Sequence, residues 1–289
     1  MSAQITEKLT LKDAVQGNEK LTSVSLDCEE LDLFSESIDG LMTLESLYLK
    51  DCNLEKIPNE VLRLSKLKLL NVEDNKVTSL PPEFDKMNQL TVLNVRGNDF
   101  NEIPTVLSEL PNLREIDLAK NPNLDILQAS KVLTQIEKLD FLYLSENNLK
   151  ELPEEFSKCN VLQELHLNNN PELDLDQVFS IVEQIKSLKI LVLSNNEIAE
   201  IPRNISKLNY IEGLVLDANP KLQLSNLIAA VDSLQSLKVL LLRNNNFQFM
   251  PQNLKGLTGL KVLELSKNNF SENEKERIKE QLPNTKVIF

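Results

Sequence analysis

The 289-residue sequence has no tryptophan and one histidine, His166, so a metal site built on several histidines is excluded. It has three cysteines, Cys28, Cys52 and Cys159, none at C-x-x-C spacing. An odd number without that spacing suggests neither a zinc site nor a disulfide framework. They read as small core or surface residues of a reducing compartment. Only six glycines occur, and none forms a loop that could cradle a phosphate. Basic residues are outnumbered, giving a net charge of -13 with no run of Lys and Arg. That balance argues against nucleic acid or an anionic membrane as a partner. No apolar run approaches the roughly 18 residues of a membrane span. The opening MSAQITEKLTLKDAV carries no apolar segment of the kind that directs secretion. A cytoplasmic protein without membrane insertion is expected, with secretion that needs no cleavable signal left open.

What the chain does have is repetition. Residues 188–202 read LKILVLSNNEIAEIP, that is L-x-x-L-x-L-x-x-N-x-I-x-x-I-P. Leu191 and Leu193 alternate with Val192, as in a short strand with one buried face. Pro202 suits an extended return segment without a ladder partner. Copies begin at Leu21, Leu44, Leu67, Leu90, Leu113, Leu139, Leu162, Leu188, Ile211, Leu237 and Leu260. Nine keep the asparagine: Asn75, Asn98, Asn121, Asn147, Asn170, Asn196, Asn219, Asn245 and Asn268. Cys52 substitutes for it in the second repeat, and Glu29 departs from it in the first. One coil cannot bury its own leucines, so the copies must stack.

The first repeats are 23 residues long; from Leu113 onward, repeats of 26 and 23 alternate, making a unit of 49. Helical spacing in the long repeats predicts helices over 126–137, 176–186 and 225–234, with Asp176 and Ser225 as N-caps. The short repeats carry Pro153, Pro202 and Pro251 and predict extended or single-turn returns. Thr10 reads as the N-cap of a short helix in an N-terminal cap over 1–20. Ser271 and Glu274 form a capping-box pattern, S-x-x-E, opening a C-terminal cap over 271–289. Its helix should stop at Pro283, before a last strand over 287–289.

The 23-residue IPxx and LPxx repeats, the ending NFSENEKERIKEQLPNTKVIF and the opening LTLKDAVQGNEKL resemble bacterial-type cytoplasmic leucine-rich repeat proteins. The resemblance covers almost the whole chain. It implies an α/β leucine-rich repeat solenoid, a curved right-handed superhelix with a parallel concave sheet and a mixed helical and extended convex side. Residues 21–270 would be one continuous run of eleven repeats. It also implies protein recognition on the concave face and no activity.

The asparagine ladder is read as structural, because each side chain can bond backbone groups left unpaired where a strand ends. Alternation sends the middle residue of each L-x-L outward: Ser25, Tyr48, Asn71, Asn94, Asp117, Tyr143, His166, Val192, Val215, Leu241 and Glu264. Phe141, Ile190, Val239 and Val262 lie two positions earlier, and Arg96, Asn168, Asp217 and Arg243 two later. Partner contacts are expected from Tyr48, Asn94, Arg96, Asp117, Phe141, Tyr143, His166, Val192, Val215, Leu241 and Arg243. The stripe from Asp117 to Leu241 is the expected docking surface, mixing aromatic and adjacent apolar side chains. No catalytic residue, metal site or cofactor is expected. His166 has no serine or cysteine beside it in the array, and the acidic cluster around Asp27 lacks calcium-loop spacing. The function expected is a non-catalytic, monomeric module binding a protein or peptide. Alternatives are a secreted or injected effector using the same face, an enzyme, and a self-associating structural protein.

Overall fold

The computed structural model describes Leu11 and residues 21–289. The expected Thr10-capped helix, and the rest of the 1–20 cap, lie outside the described residues. Leu11 itself is buried, and its amide donates to Glu30 Oε1 at 3.1 Å. The chain divides into two compact units, Met1–Leu139 and Asp140–Phe289.

Twelve strands of three residues each are described. In the first unit they are β1 (Ser23–Ser25), β2 (Ser46–Tyr48), β3 (Leu69–Asn71), β4 (Val92–Asn94) and β5 (Glu115–Asp117). In the second they are β6 (Phe141–Tyr143), β7 (Glu164–His166), β8 (Ile190–Val192), β9 (Gly213–Val215), β10 (Val239–Leu241), β11 (Val262–Glu264) and β12 (Lys286–Ile288). Within each unit every strand pairs in parallel with the next, one repeat on. The middle residue faces the core. Leu165, Leu191, Leu214, Leu240 and Leu263 are each buried at 1% exposure or less. Burying such a side chain contributes about 1.5–3 kcal/mol, but only when the neighbouring coil covers it. The strands stop early because the residue before the ladder asparagine is left-handed: φ is 55° at Asn169, 53° at Asn195, 55° at Ala218 and 56° at Asn244.

The long repeats close with helices over Ile126–Leu133, Leu175–Val182 and Leu224–Val231, all shorter than the expected windows, the second and third beginning one residue earlier. Each ends because bonding tightens to three residues, as where Ile185 N donates to Val182 O at 2.9 Å. Their N-caps differ from expectation. Asp174, not Asp176, accepts from Gln177 N at 3.2 Å, and Gln223, not Ser225, holds the third cap position. Asp176 and Ser225 fall inside the first turn, where their own backbone is already helical. The short repeats return through single 3-10 turns, Glu154–Lys158, Arg203–Lys207 and Lys255–Leu257. In the first two the proline carbonyl opens the turn, Pro153 O accepting from Phe156 N at 3.1 Å. The outer segment of the first repeat is helical, Leu31–Ser37, with Phe34 buried.

The C-terminal helix, Glu272–Gln281, is capped by Ser271 Oγ, which accepts from Glu274 N at 3.3 Å. The reciprocal half of the expected box is missing, because Glu274 reaches inward and accepts from Met250 N at 2.7 Å. The last strand lies over Lys286–Ile288, one residue earlier than expected, and Phe289 turns edge-on to Phe270 at 6.0 Å.

Candidate functional site

The ladder asparagines give their amides to backbone. In Asn170, Nδ2 donates to Leu144 O, Leu167 O and Asn168 O at 3.2, 3.0 and 3.2 Å. Its Oδ1 accepts from Asn147 N and Leu149 N at 3.1 and 3.0 Å. Asn219 repeats the pattern one super-repeat later, and Asn75 has it in the first unit. Asn75, Asn98, Asn121, Asn147, Asn170, Asn196, Asn219 and Asn245 are all buried, and Asn268 is half-buried. Backbone partners thus satisfy these buried amides.

On the open face of the first unit the polar side chains fold back on their own strands. Asn71, Asn94 and Asp117 each accept, at 2.9 Å, from the amide two residues on: Glu73, Arg96 and Ala119. Burial raises the Asp117 carboxyl above its ordinary value, against the lowering effect of that amide and of Arg96. Arg96 Nε lies 3.8 Å from Glu73, which also pairs with Lys50. Tyr48 is half-buried beside Asn71 in register. This is a charged, internally satisfied surface.

The second unit differs. Tyr143 and His166, opposite each other on β6 and β7, stack with ring centroids 4.3 Å apart and planes tilted by 31°. His166 Nε2 lies 3.4 Å from Glu164 Oε2. Burial lowers the His166 pKa, with Glu164 pulling the other way. Beyond it the row continues in register through Val192, Val215 and Leu241. The neighbouring row holds Phe141, Glu164, Ile190, Gly213, Val239 and Val262. Val192 is only 8% exposed, whereas Phe141, Ile190, Val215, Val239, Leu241 and Val262 are half-buried. Gly213 keeps the sheet low there: an added Cβ would sit 3.3 Å from Ile190 Cγ1. An apolar floor on β8 to β11 thus lies beside an aromatic step on β6 and β7.

One flank is fixed by charge. Arg243 Nε donates to Asp217 Oδ2 at 2.8 Å, and the Arg243 amide donates to Asp217 Oδ1 at 2.7 Å. The bond to Asp217 raises the Arg243 pKa further, and the exposed guanidinium retains donors for a partner. Of the expected stripe, Asp117 lies on β5 of the first unit, and Tyr143, His166, Val192, Val215, Leu241 and Arg243 lie on the second.

The cysteines correct the sequence reading. Cys28 and Cys52 form a disulfide with Cα atoms 5.0 Å apart, and only Cys159 is free. Their separation of 24 residues is one 23-residue coil plus one, which stacks them on neighbouring coils. Cys159 is buried, and burial pushes its thiol up to about 12. Among the described residues no group of three or more His, Cys, Asp and Glu could hold a metal, and no helix is long and apolar enough to cross a membrane.

Comparison with known proteins agrees with this architecture. A leucine-rich repeat model matches residues 42–100 and 65–122, and a second matches 138–159 and 187–208. No curated protein matches the chain in sequence. An internalin from Listeria monocytogenes is similar in fold, with a TM-score of 0.55 and 22% identity over 88% of this chain and 76% of that one. A leucine-rich repeat protein of Leptospira interrogans aligns over 93% of this chain and 90% of its own at 22% identity, with a TM-score of 0.44. The chain is built of leucine-rich repeats, parallel strands on one side and helices or 3-10 turns on the other. Such repeats generally serve as protein-binding modules.

Proposed function

We propose that the second unit is a non-catalytic docking module that takes a protein or peptide segment on the open face of β6 to β11. The observation that carries this reading is the apolar floor of Ile190, Val215, Val239, Leu241 and Val262 beside the Tyr143–His166 stack. Contiguous apolar side chains within reach of solvent are what a partner covers. Covering them contributes about 25 cal/mol per Å² of apolar area, while Tyr143, His166 and Arg243 add directed hydrogen bonds at the margin. Tyr48, Asn94, Arg96 and Asp117 belong to a separate, polar part of the reading, contacts on the first unit's own face. The protein acts as a monomer in this account, which light scattering checks.

Catalysis has little support here. His166 is engaged with Glu164 and the Tyr143 ring, and no nucleophile stands beside it in the described contacts. The Cys28–Cys52 disulfide favours the secreted alternative over a cytoplasmic address, because such bonds persist in oxidising compartments. Thiol counting on protein taken from its own source decides between them: one free thiol for an oxidising compartment, three for a reducing one. The binding reading is tested by capturing partners with wild type beside Leu241→Asp. A partner retained equally by both would overturn it.

A further inference from the structure

Away from the open face, the second unit has a pocket of about 160 Å³ between the end of the Leu224–Val231 helix and the next coil. Val231, Asp232, Gln235, Gly256 and Gly259 are among its lining residues. The chain itself shows what such a place can hold, because the coils repeat every 49 residues. Subtracting 49 from these positions gives Val182, Glu183, Lys186, Lys207 and Tyr210. At the earlier position the Tyr210 ring fills the space. Its hydroxyl donates to Val182 O at the end of the Leu175–Val182 helix, and Lys186 Nζ lies 4.9 Å from the ring centroid. Lys207 closes the side by pairing with Glu183 at 2.9 Å.

In the later super-repeat both filling side chains are glycine. Gly256 cannot be anything larger without movement, since an added Cβ would sit 3.0 Å from Asp232 Cβ and 3.0 Å from Ile228 O. Gly259 is the opposite case: a Cβ there would meet nothing within 4 Å. Close approach at one glycine and open space at the other leave the walls of a tyrosine site without its tyrosine. The acceptor is retained as well. Val231 O takes Leu234 N at 2.9 Å, as Val182 O takes Ile185 N at 2.9 Å, and a carbonyl has a second lone pair.

We propose that this pocket binds a phenol ring in the place Tyr210 occupies one super-repeat earlier, with the hydroxyl donating to Val231 O and Gln235 standing where Lys186 covers the ring. The ring could come from a free para-substituted phenol or from a tyrosine side chain of another polypeptide, and two probes separate these sources. Titrating p-cresol into the full chain and following amide shifts should perturb Gly256, Gly259 and Val231, with a dissociation constant on the order of 1 mM, as expected for so small a ligand. Toluene should bind at least tenfold more weakly, because it lacks the donor. N-acetyltyrosinamide binding as well as p-cresol assigns the site to a polypeptide tyrosine; p-cresol alone assigns it to a free phenol.

Two variants make the test independent of any one fold defect. Gly259→Tyr supplies the ring from the chain, so p-cresol binding should fall at least tenfold and the melting temperature should rise. Tyr210→Gly opens a second pocket in the preceding super-repeat, which p-cresol should occupy while restoring part of the lost melting temperature. Unchanged p-cresol binding by Gly259→Tyr, toluene binding equal to p-cresol, or no shifts at Gly256 and Gly259 in wild type would each overturn the proposal.

Discussion

The side-chain amide of Gln177 clamps both backbone groups of Leu152, accepting from its N–H at 2.9 Å and donating to its carbonyl at 2.6 Å. Gln177 opens a long-repeat helix, and Leu152 precedes the proline of the coil before it. Gln128 does the same to Ile103, at 2.8 and 2.8 Å. Asn226, one methylene shorter, keeps only the bond from Ile201 N, at 2.6 Å. At the C-terminal cap the two tasks are divided: Glu274 accepts from Met250 N, and Arg277 donates to Met250 O at 2.9 Å. The alternation of long and short repeats is therefore a bonding rule. Each helix satisfies the extended segment before it, which has no strand partner of its own.

Gln177→Ala should cost about 1–3 kcal/mol, since it leaves an amide and a carbonyl unpaired in a part-buried position. Urea denaturation measures it. Gln177→Glu should keep the accepting bond and lose the donating one, falling between wild type and alanine.

Asn170→Ala should be at least as costly as the Gln177 change, and Asn196→Ala comparable, because both remove buried side chains bonded only to backbone. Hydrogen exchange should show fraying on adjoining coils before global unfolding. A ladder variant that keeps wild-type stability would reverse the structural assignment.

The C-terminal cap should loosen in acid. The bond from Arg277, helped by the Met250 amide, holds the Glu274 pKa below its ordinary value against the opposing effect of burial. A depressed folded pKa means stabilisation present above the unfolded value and lost as pH falls through the folded one. Exchange of the Met250 amide should accelerate in that window, below the usual carboxylate range. In Glu274→Gln the acceleration should disappear.

Alkylation should find Cys159 silent in the folded protein and reactive once it unfolds, because burial both hides the thiol and raises its pKa to about 12. Labelling at neutral pH with and without denaturant, read by mass, checks this. Labelling of Cys159 in the native state would contradict it.

Much of the fold was legible because leucine spacing is itself a record of burial. Leu191 and Leu193 could not both be buried unless Val192 faced outward. The helix windows were legible for the same reason, but the caps were not. Asp174 and Asp176 are equally good cap residues, and only the backbone dihedral, φ -75° and ψ 101° at Asp174, selects one. The disulfide was hidden because an odd cysteine count and the lack of C-x-x-C spacing say nothing of which positions stack on neighbouring coils, where a separation of 24 brings Cys28 to Cys52. The Gln177 clamp left a trace in the sequence, glutamine at 128 and again at 177, but its amide looks like any surface glutamine until the preceding coil is in place. On the open face, alternation placed every outward side chain. It did not reveal that Asn71, Asn94 and Asp117 turn back on their own strands while Tyr143 and His166 stack.

The most direct measurement is hydroxyl-radical footprinting of the complex with a partner whose capture is lost in Leu241→Asp. Side chains on β6 to β10 report on the docking face, and Phe249, 69% exposed and outside the strands, serves as the internal control. Tyr143, His166 and Leu241 should be protected on binding, with Phe249 unchanged. Tyr143→Ala should weaken the same complex by about 2 kcal/mol without lowering the melting temperature. Protection of Phe249, with Tyr143, His166 and Leu241 as reactive as in the free protein, would contradict the account.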